Sequence, residues 1–353
     1  MNAVATAEVR LIGRTRRGAA VLLGLAALLL LAVAISLCMG KYPLRPGELA
    51  RWLLQSTTGH GALADARMRL LHDLLVEVRL PRIVAACLVG AALAVAGAGF
   101  QAMFVNPLVS PSLLGVLAGA SFGAALGIVA CRTWPEVQVA TLLGGLLAVA
   151  LTVGIAAAYR VGGTLVLVLA GIVVSTFFNA LVWLVKYLAD PQNQLPAIVY
   201  WLMGNMALAD RTAVTRAALP ILLGVGTLMA MGRQLDALSM GDEEARALGL
   251  NVRAVRAVVI AAATLVSALT VVLAGVVGWV GLVVPHATRM VVGPGHRLLL
   301  PACALVGAVY VLAMDDLSRL AFAFEIPIGI VTALLGIPFF LAVLGNARKG
   351  WSG

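Results

Sequence analysis

The chain has 353 residues, 62% of them hydrophobic and only 11% charged, with a formal net charge of +10 and a mean hydropathy of +1.05. That composition excludes an ordinary water-soluble globular domain. The basic residues stand singly between apolar runs with no interleaved aromatics, which excludes a nucleic-acid surface and reads instead as cytoplasmic-side positive charge on a membrane protein.

A helix needs about 20 apolar residues to cross hydrocarbon, and uncharged stretches of that length recur along the whole chain. The predicted fold class is all-α, a polytopic membrane protein forming one transmembrane domain over residues 1–353. Arg10, Arg14, Arg16 and Arg17 precede the first span, 18–40, which is too long for a cleavable signal and lacks a small-x-small site. A long outer loop, 41–82, follows. The next uncharged stretch is cut by Asn106-Pro107 and Ser110-Pro111 into spans 83–105 and 112–131. In the second of these, Gly115, Gly119, Gly123 and Gly127 recur every four residues, a strip that lets another helix approach closely. Spans 137–159 and 161–185 come next.

Segment 191–209 is uncharged but carries Pro191, Gln192, Asn193, Gln194, Pro196 and Asn205, so it reads as an interfacial helix and loop on the outer side. Span 217–232 leads into an inner loop, 233–256. Gly275 and Gly278 divide the following stretch into spans 257–274 and 278–292, and spans 298–314 and 326–347 complete the set. The ten spans are an even number, which places both basic termini in the cytoplasm. The inner side then holds 13 Lys/Arg against five acids, the outer side 12 against ten.

The chain reads as a non-enzyme. Its only lysines, Lys41, Lys186 and Lys349, are followed by Tyr42, Tyr187 and Gly350, so no phosphate loop exists. Any ATP, with its Mg2+, is expected in a partner, and no cofactor is expected on this chain. His60, His72, His286 and His296 lack the spacing of metal ligands, and His286 beside Pro285 reads as a structural turn element. Cys38, Cys87, Cys131 and Cys303 have no C-x-x-C spacing and read as small core residues. Lys186, Asp315, Asp316 and Glu325 fall at span ends, leaving no midplane charge for the remote alternative, a stand-alone secondary transporter or channel.

The inner loop reads RQLDALSMGDEEARALGLNVRAVR. Ser239 is the expected helix start, with Asp242, Glu243 and Glu244 at the positive end of the helix dipole. Ala245 and Leu248 are expected on one face, and Gly249 suits a left-handed C-cap. The candidate docking residues for a cytoplasmic partner are Ser239, Asp242, Glu243, Glu244, Arg246, Leu248 and Gly249. The alternative is a solvated connector.

At these residues the chain resembles the FecCD family of type II ABC-importer permeases, which carry haem, cobalamin and iron-siderophores. The resemblance rests on VRLPRIVAACLVGAALAVAGAGFQAMFVNPLVSPSLLGV at 78–116, YWLMG at 200–204, LSMGDEEARALGL at 238–250, GWVGLVVPHATR at 278–289 and IPIGIVTALLG at 326–336. It implies an inner-membrane subunit that pairs with a second copy of itself, two ATPase subunits on the inner loops and one periplasmic binding protein outside. It implies that Arg79, Arg82 and Arg319 receive glutamates of that binding protein, and that Gly162, Gly163 and Thr164 form an inner gate. Haem is the first expected cargo, with cobalamin or a ferric siderophore as the alternative.

Overall fold

The computed structural model describes residues 2–58, 66–159 and 164–349, and among them every regular element is helical. The first helix, α1 (Asn2–Cys38), contains the first expected span. The outer segment read as a loop is largely helical, with α2 (Pro46–Thr58) and α3 (Ala66–Asp73). Glu48 joins them: its carboxylate accepts from the Arg45 amide at 3.1 Å and pairs with Arg67. The Arg45 amide foremost, and then Arg67, hold the Glu48 carboxyl below the usual carboxylate range.

A π-helical turn over Leu74–Arg79 runs directly into α4 (Leu80–Met103), so the span expected at 83 begins earlier. Pro81 explains the turn. It has no N–H to donate, and just before it the Leu80 amide slips to the Leu75 carbonyl. The α4 helix is the hub of the bundle, with 78% of its most apolar stretch buried. It ends in a tight reversal in which Val105 takes φ +49°, followed by a 3-10 turn at Pro111–Leu114 and Gly115 at φ +86°.

Next come α5 (Val116–Ala130) and α6 (Trp134–Ala158). The expected glycine strip packs α5 onto α6: a Cβ on Gly119 or Gly123 would run into the Gly144 or Ala140 carbonyl. A capping box starts α6, with Thr133 and Glu136 each satisfying the other's amide. Helix α7 (Thr164–Leu188) follows, then the short α8 (Gln194–Leu202), which occupies the segment read as an interfacial helix.

Helix α9 (Arg211–Ala230) begins six residues before the expected 217, because Asp210 caps it by accepting from the Ala213 amide at 2.6 Å. Two short helices, α10 (Gly232–Leu238) and α11 (Asp242–Ala247), lie in the inner loop. Then come α12 (Val252–Ala274), α13 (Val280–Val292), α14 (His296–Leu320) and α15 (Ile328–Lys349). The break between α12 and α13 falls at Gly275, φ +66°, as read. Pro285 and His286 lie inside α13 and not in a turn, a correction. Helix α14 runs past the expected end at 314, which brings Asp315, Asp316 and Arg319 into the helix.

Among the described residues, seven helices are long and apolar enough to cross a membrane, and Val116–Ala130, Val280–Val292 and Ile328–Leu341 are shorter apolar helices. All of them fall on stretches read as spans. Residues read as outer meet at one end of the bundle, where Arg82 contacts Asp315 and Glu325. Residues read as inner meet at the other, where Asp236 contacts His296.

Candidate functional site

The loop after α9 builds a small projecting platform. Ser239 does not start α11. It closes α10, with its hydroxyl donating to the Asp236 carbonyl at 2.7 Å. The residue that precedes α11 is Gly241, whose φ of +120° is closed to most L-residues. Asp242, Glu243 and Glu244 occupy the first turn of α11. Asp242 is clamped by Arg256 at 2.6 Å and Arg246 at 3.4 Å. Gly249 adopts φ +81°, and the Leu250 amide donates to the Ala245 carbonyl at 3.1 Å, a Schellman closure.

Ala245 and Leu248 do not share a face. Ala245 is fully buried, whereas Leu248 is 64% exposed, because α11 ends at Ala247 and Leu248 sits in its cap. Met240 is equally exposed, so two apolar side chains flank an exposed Glu243, Glu244 and Arg246. The platform is anchored behind by α10: Asp236 accepts from the His296 backbone amide at 2.7 Å and meets its Nδ1 at 2.8 Å.

The opposite end holds a buried charge network. Arg79, Arg82 and Arg319 were read as open cations of the outer rim. The structure buries all three, at 4%, 8% and 9% exposure. Arg79, carried on the π turn, donates to the Leu37 and Tyr42 carbonyls and so closes the end of α1. Arg82 grips both oxygens of Asp315, through Nε at 3.0 and 3.1 Å and Nη2 at 3.0 Å, and its Nη1 reaches Glu325 at 3.1 Å. Arg319 Nε lies 3.3 Å from Asp315, and its Nη2 contacts Asp316 and the Ser36 hydroxyl. Ser36 in turn donates to Asp316 at 2.7 Å.

Desolvating three cations is costly; three carboxylates pair Arg82 and Arg319, and backbone carbonyls take up Arg79. The network binds α1, α4, α14 and the link to α15 into one unit. Its accessible edge is Glu325, 29% exposed, beside a cavity of about 200 Å3 that Arg79, Arg82 and Arg319 also line.

Of the expected gate, Thr164 is half-buried at the start of α7, and Gly162 and Gly163 lie outside the described residues. Helix α7 presents a long apolar face outward, with Leu165, Leu169, Val173, Phe177 and Trp183 each more than half exposed. Asp315 was missed as the organising residue of the outer end. The signal that could have found it was arithmetic: three arginines and three acids at span boundaries read to one side. Arg289 was missed as well. It is half-buried near the opposite end and donates to Gln101 at 3.1 Å.

Comparison with known proteins finds relatives that cover most of the chain. A family profile described as the FecCD transport family matches residues 28–346. The chain is 37% identical to the molybdate import system permease protein MolB of Haemophilus influenzae, over 94% of this chain and 96% of that protein. It is 41% identical to the cobalamin import system permease protein BtuC of Halobacterium salinarum, over 76% of this chain and 72% of that protein. A solved structure of a metal-chelate type ABC transporter in an inward-facing conformation superposes with a TM-score of 0.81 at 36% identity, covering 92% of this chain and 98% of that one.

Proposed function

The chain belongs to the FecCD transport family, and from that premise we propose that it is the membrane-spanning permease of an ATP-driven importer for a bulky metal chelate. The observation that carries the reading is agreement in both sequence and fold, over nearly the whole chain, with ABC-importer permeases. The ten apolar helices are its spans, both termini face the cytoplasm, and the protein resides in the bacterial inner membrane.

Two copies enclose the path, lined chiefly by α7, whose exposed apolar face supports that role. Two ATPase subunits hold the ATP and Mg2+ and grip the α10–α11 platforms through Leu248 and Met240. This chain itself does no covalent chemistry. A binding protein delivers cargo to the outer end, where its glutamates compete with Glu325 for Arg82. Direct docking on free Arg79 and Arg319 does not fit, since both end on internal acceptors. Gly162, Gly163 and Thr164 form the inner gate.

Haem is the cargo we place first, from the sequence resemblance. Cobalamin is the second reading, favoured by the cobalamin permease among the relatives. The test is ATP hydrolysis. The purified chain alone should hydrolyse none, and with its ATPase it should support hydrolysis that loaded binding protein stimulates. Stimulation by haem-loaded but not cobalamin-loaded binding protein decides the cargo. Hydrolysis indifferent to any loaded binding protein would remove the importer reading.

A further inference from the structure

Three unexplained features converge on one cavity at the end of the bundle that carries the inner loop. The cavity, of about 310 Å3, is lined by Gln101, Val105, Asn106, Ser239, Arg289 and His296, drawn from α4, α13, α14 and the loop after α10. The first feature is charge. Arg289 is half-buried, and among the described residues it has no carboxylate within ion-pair distance; its recorded partner is the neutral Gln101 oxygen. A cation withdrawn from water without a counter-ion is costly. At the other end of the molecule every buried arginine is matched or capped.

The second feature is an orphan acceptor. His296 is 4% exposed, its Nδ1 donates to the Asp236 carboxylate, and its buried Nε2, left with a lone pair, has no partner. The third is strain. Val105 is one of two non-glycine residues with positive φ among the described residues, and a β-branched side chain disfavours that conformation. Such outliers cluster where a ligand is held.

We infer that this cavity is a binding site for a phosphate-type oxyanion, supplied either by a phospholipid headgroup or by free phosphate. Arg289 offers charge and a donor fork, and Asn106 offers a neutral amide donor. A protonated phosphate oxygen or a headgroup hydroxyl can also donate to His296 Nε2, which a carboxylate cannot do. Basic pockets between spans at the inner surface suit anionic headgroups. Occupancy would tie the α4 reversal to α13, beside Ser239 at the foot of the inner-loop platform. The inference rests on this chain's own geometry and does not depend on the transport reading.

The test uses the purified full-length chain in detergent. Binding of radiolabelled inorganic phosphate is measured by equilibrium dialysis, and binding of phosphatidylglycerol by native mass spectrometry, with diacylglycerol as the phosphate-free control. Wild type should bind at least one of the two phosphate probes and not diacylglycerol. Arg289→Gln should weaken that binding about tenfold or more, while Arg297→Gln, in the first turn of α14 and outside the cavity lining, should not. Asn106→Asp keeps the oxygen that accepts from the Leu108 amide but adds a negative charge, so it should weaken binding as well, and it covers the case in which Arg289→Gln does not fold. Retention of phosphatidylglycerol alone identifies a lipid site, and retention of phosphate alone a soluble ligand. Binding of neither probe by wild type, or binding that Arg289→Gln and Asn106→Asp leave unchanged, would overturn the inference. So would a wild type that binds neither probe while Arg289→Gln severs the ATPase, since the cavity would then be a protein-docking pocket.

Discussion

Replacing Asp315 by alanine should be among the most damaging single changes at the outer end of this molecule. Asp315 is fully buried and is the shared anion of the network: both its oxygens are held by Arg82, and Arg319 lies 3.3 Å away. Removing it leaves two buried guanidinium groups short of charge, with Glu325 and Asp316 as the remaining counter-ions. Breaking a buried pair from one side costs about 3–5 kcal/mol, because the stranded charge stays desolvated. Asp315→Asn keeps the shape and some hydrogen bonds, so its loss should be smaller. Removing all three partners together, with Arg82→Leu, Asp315→Leu and Arg319→Leu, should recover part of the loss, since the only charges then left unpaired are the more exposed Glu325 and Asp316. The assay is fluorescence-detected size exclusion after graded heating in detergent. The expected order of melting temperature is wild type, then Asp315→Asn, then Asp315→Ala, with the last lower by about 5–10 °C. If Asp315→Ala melts with wild type, the network does not hold the outer end together.

Leu248→Asp should leave the melting temperature of the isolated chain unchanged, because Leu248 is exposed there, yet weaken ATPase pull-down by about 2–5 kcal/mol; normal assembly would favour a solvated connector. Gly123→Leu should cost about 1–3 kcal/mol or prevent a monodisperse product, since its Cβ meets the Ala140 backbone, while Gly226→Ala, with open space around it, should be silent in the same chromatography. Thr133→Ala removes half of the capping box of α6 and should cost about 1 kcal/mol, read as faster amide exchange confined to the first turn of that helix.

Much of this architecture was legible because the bilayer enforces it. Long uncharged runs, and the breaks at Asn106-Pro107 and Gly275, were visible without any tertiary knowledge. So was the strip at Gly119 and Gly123, because a four-residue period is a local property. Helix ends were less legible. Arg211 and Arg216 look like loop residues, but Asp210 caps a helix around them and Arg211 finds Glu77 at 3.1 Å. The extension of α14 past 314 was hidden for the same reason, since two adjacent acids read as an exit into water until Arg82, distant in sequence, neutralises one of them.

The inner loop shows where local rules compete. Ser239 satisfies a helix-start pattern, but Gly241 two residues later supplies the positive φ that the turn needs, and the start moves there. The exposure of the outer arginines was beyond sequence reasoning, because whether an arginine meets solvent or a buried carboxylate depends on partners more than 200 residues away, as with Arg82 and Asp315.

The most direct test of the account is uptake into sealed proteoliposomes containing this chain and its ATPase, with binding protein and labelled chelate outside and ATP trapped within. The account predicts uptake that requires all of these components, halts when ATP is replaced by a non-hydrolysable analogue, and is indifferent to imposed proton or sodium gradients. Uptake by this chain alone, driven by an ion gradient without ATP, would contradict it.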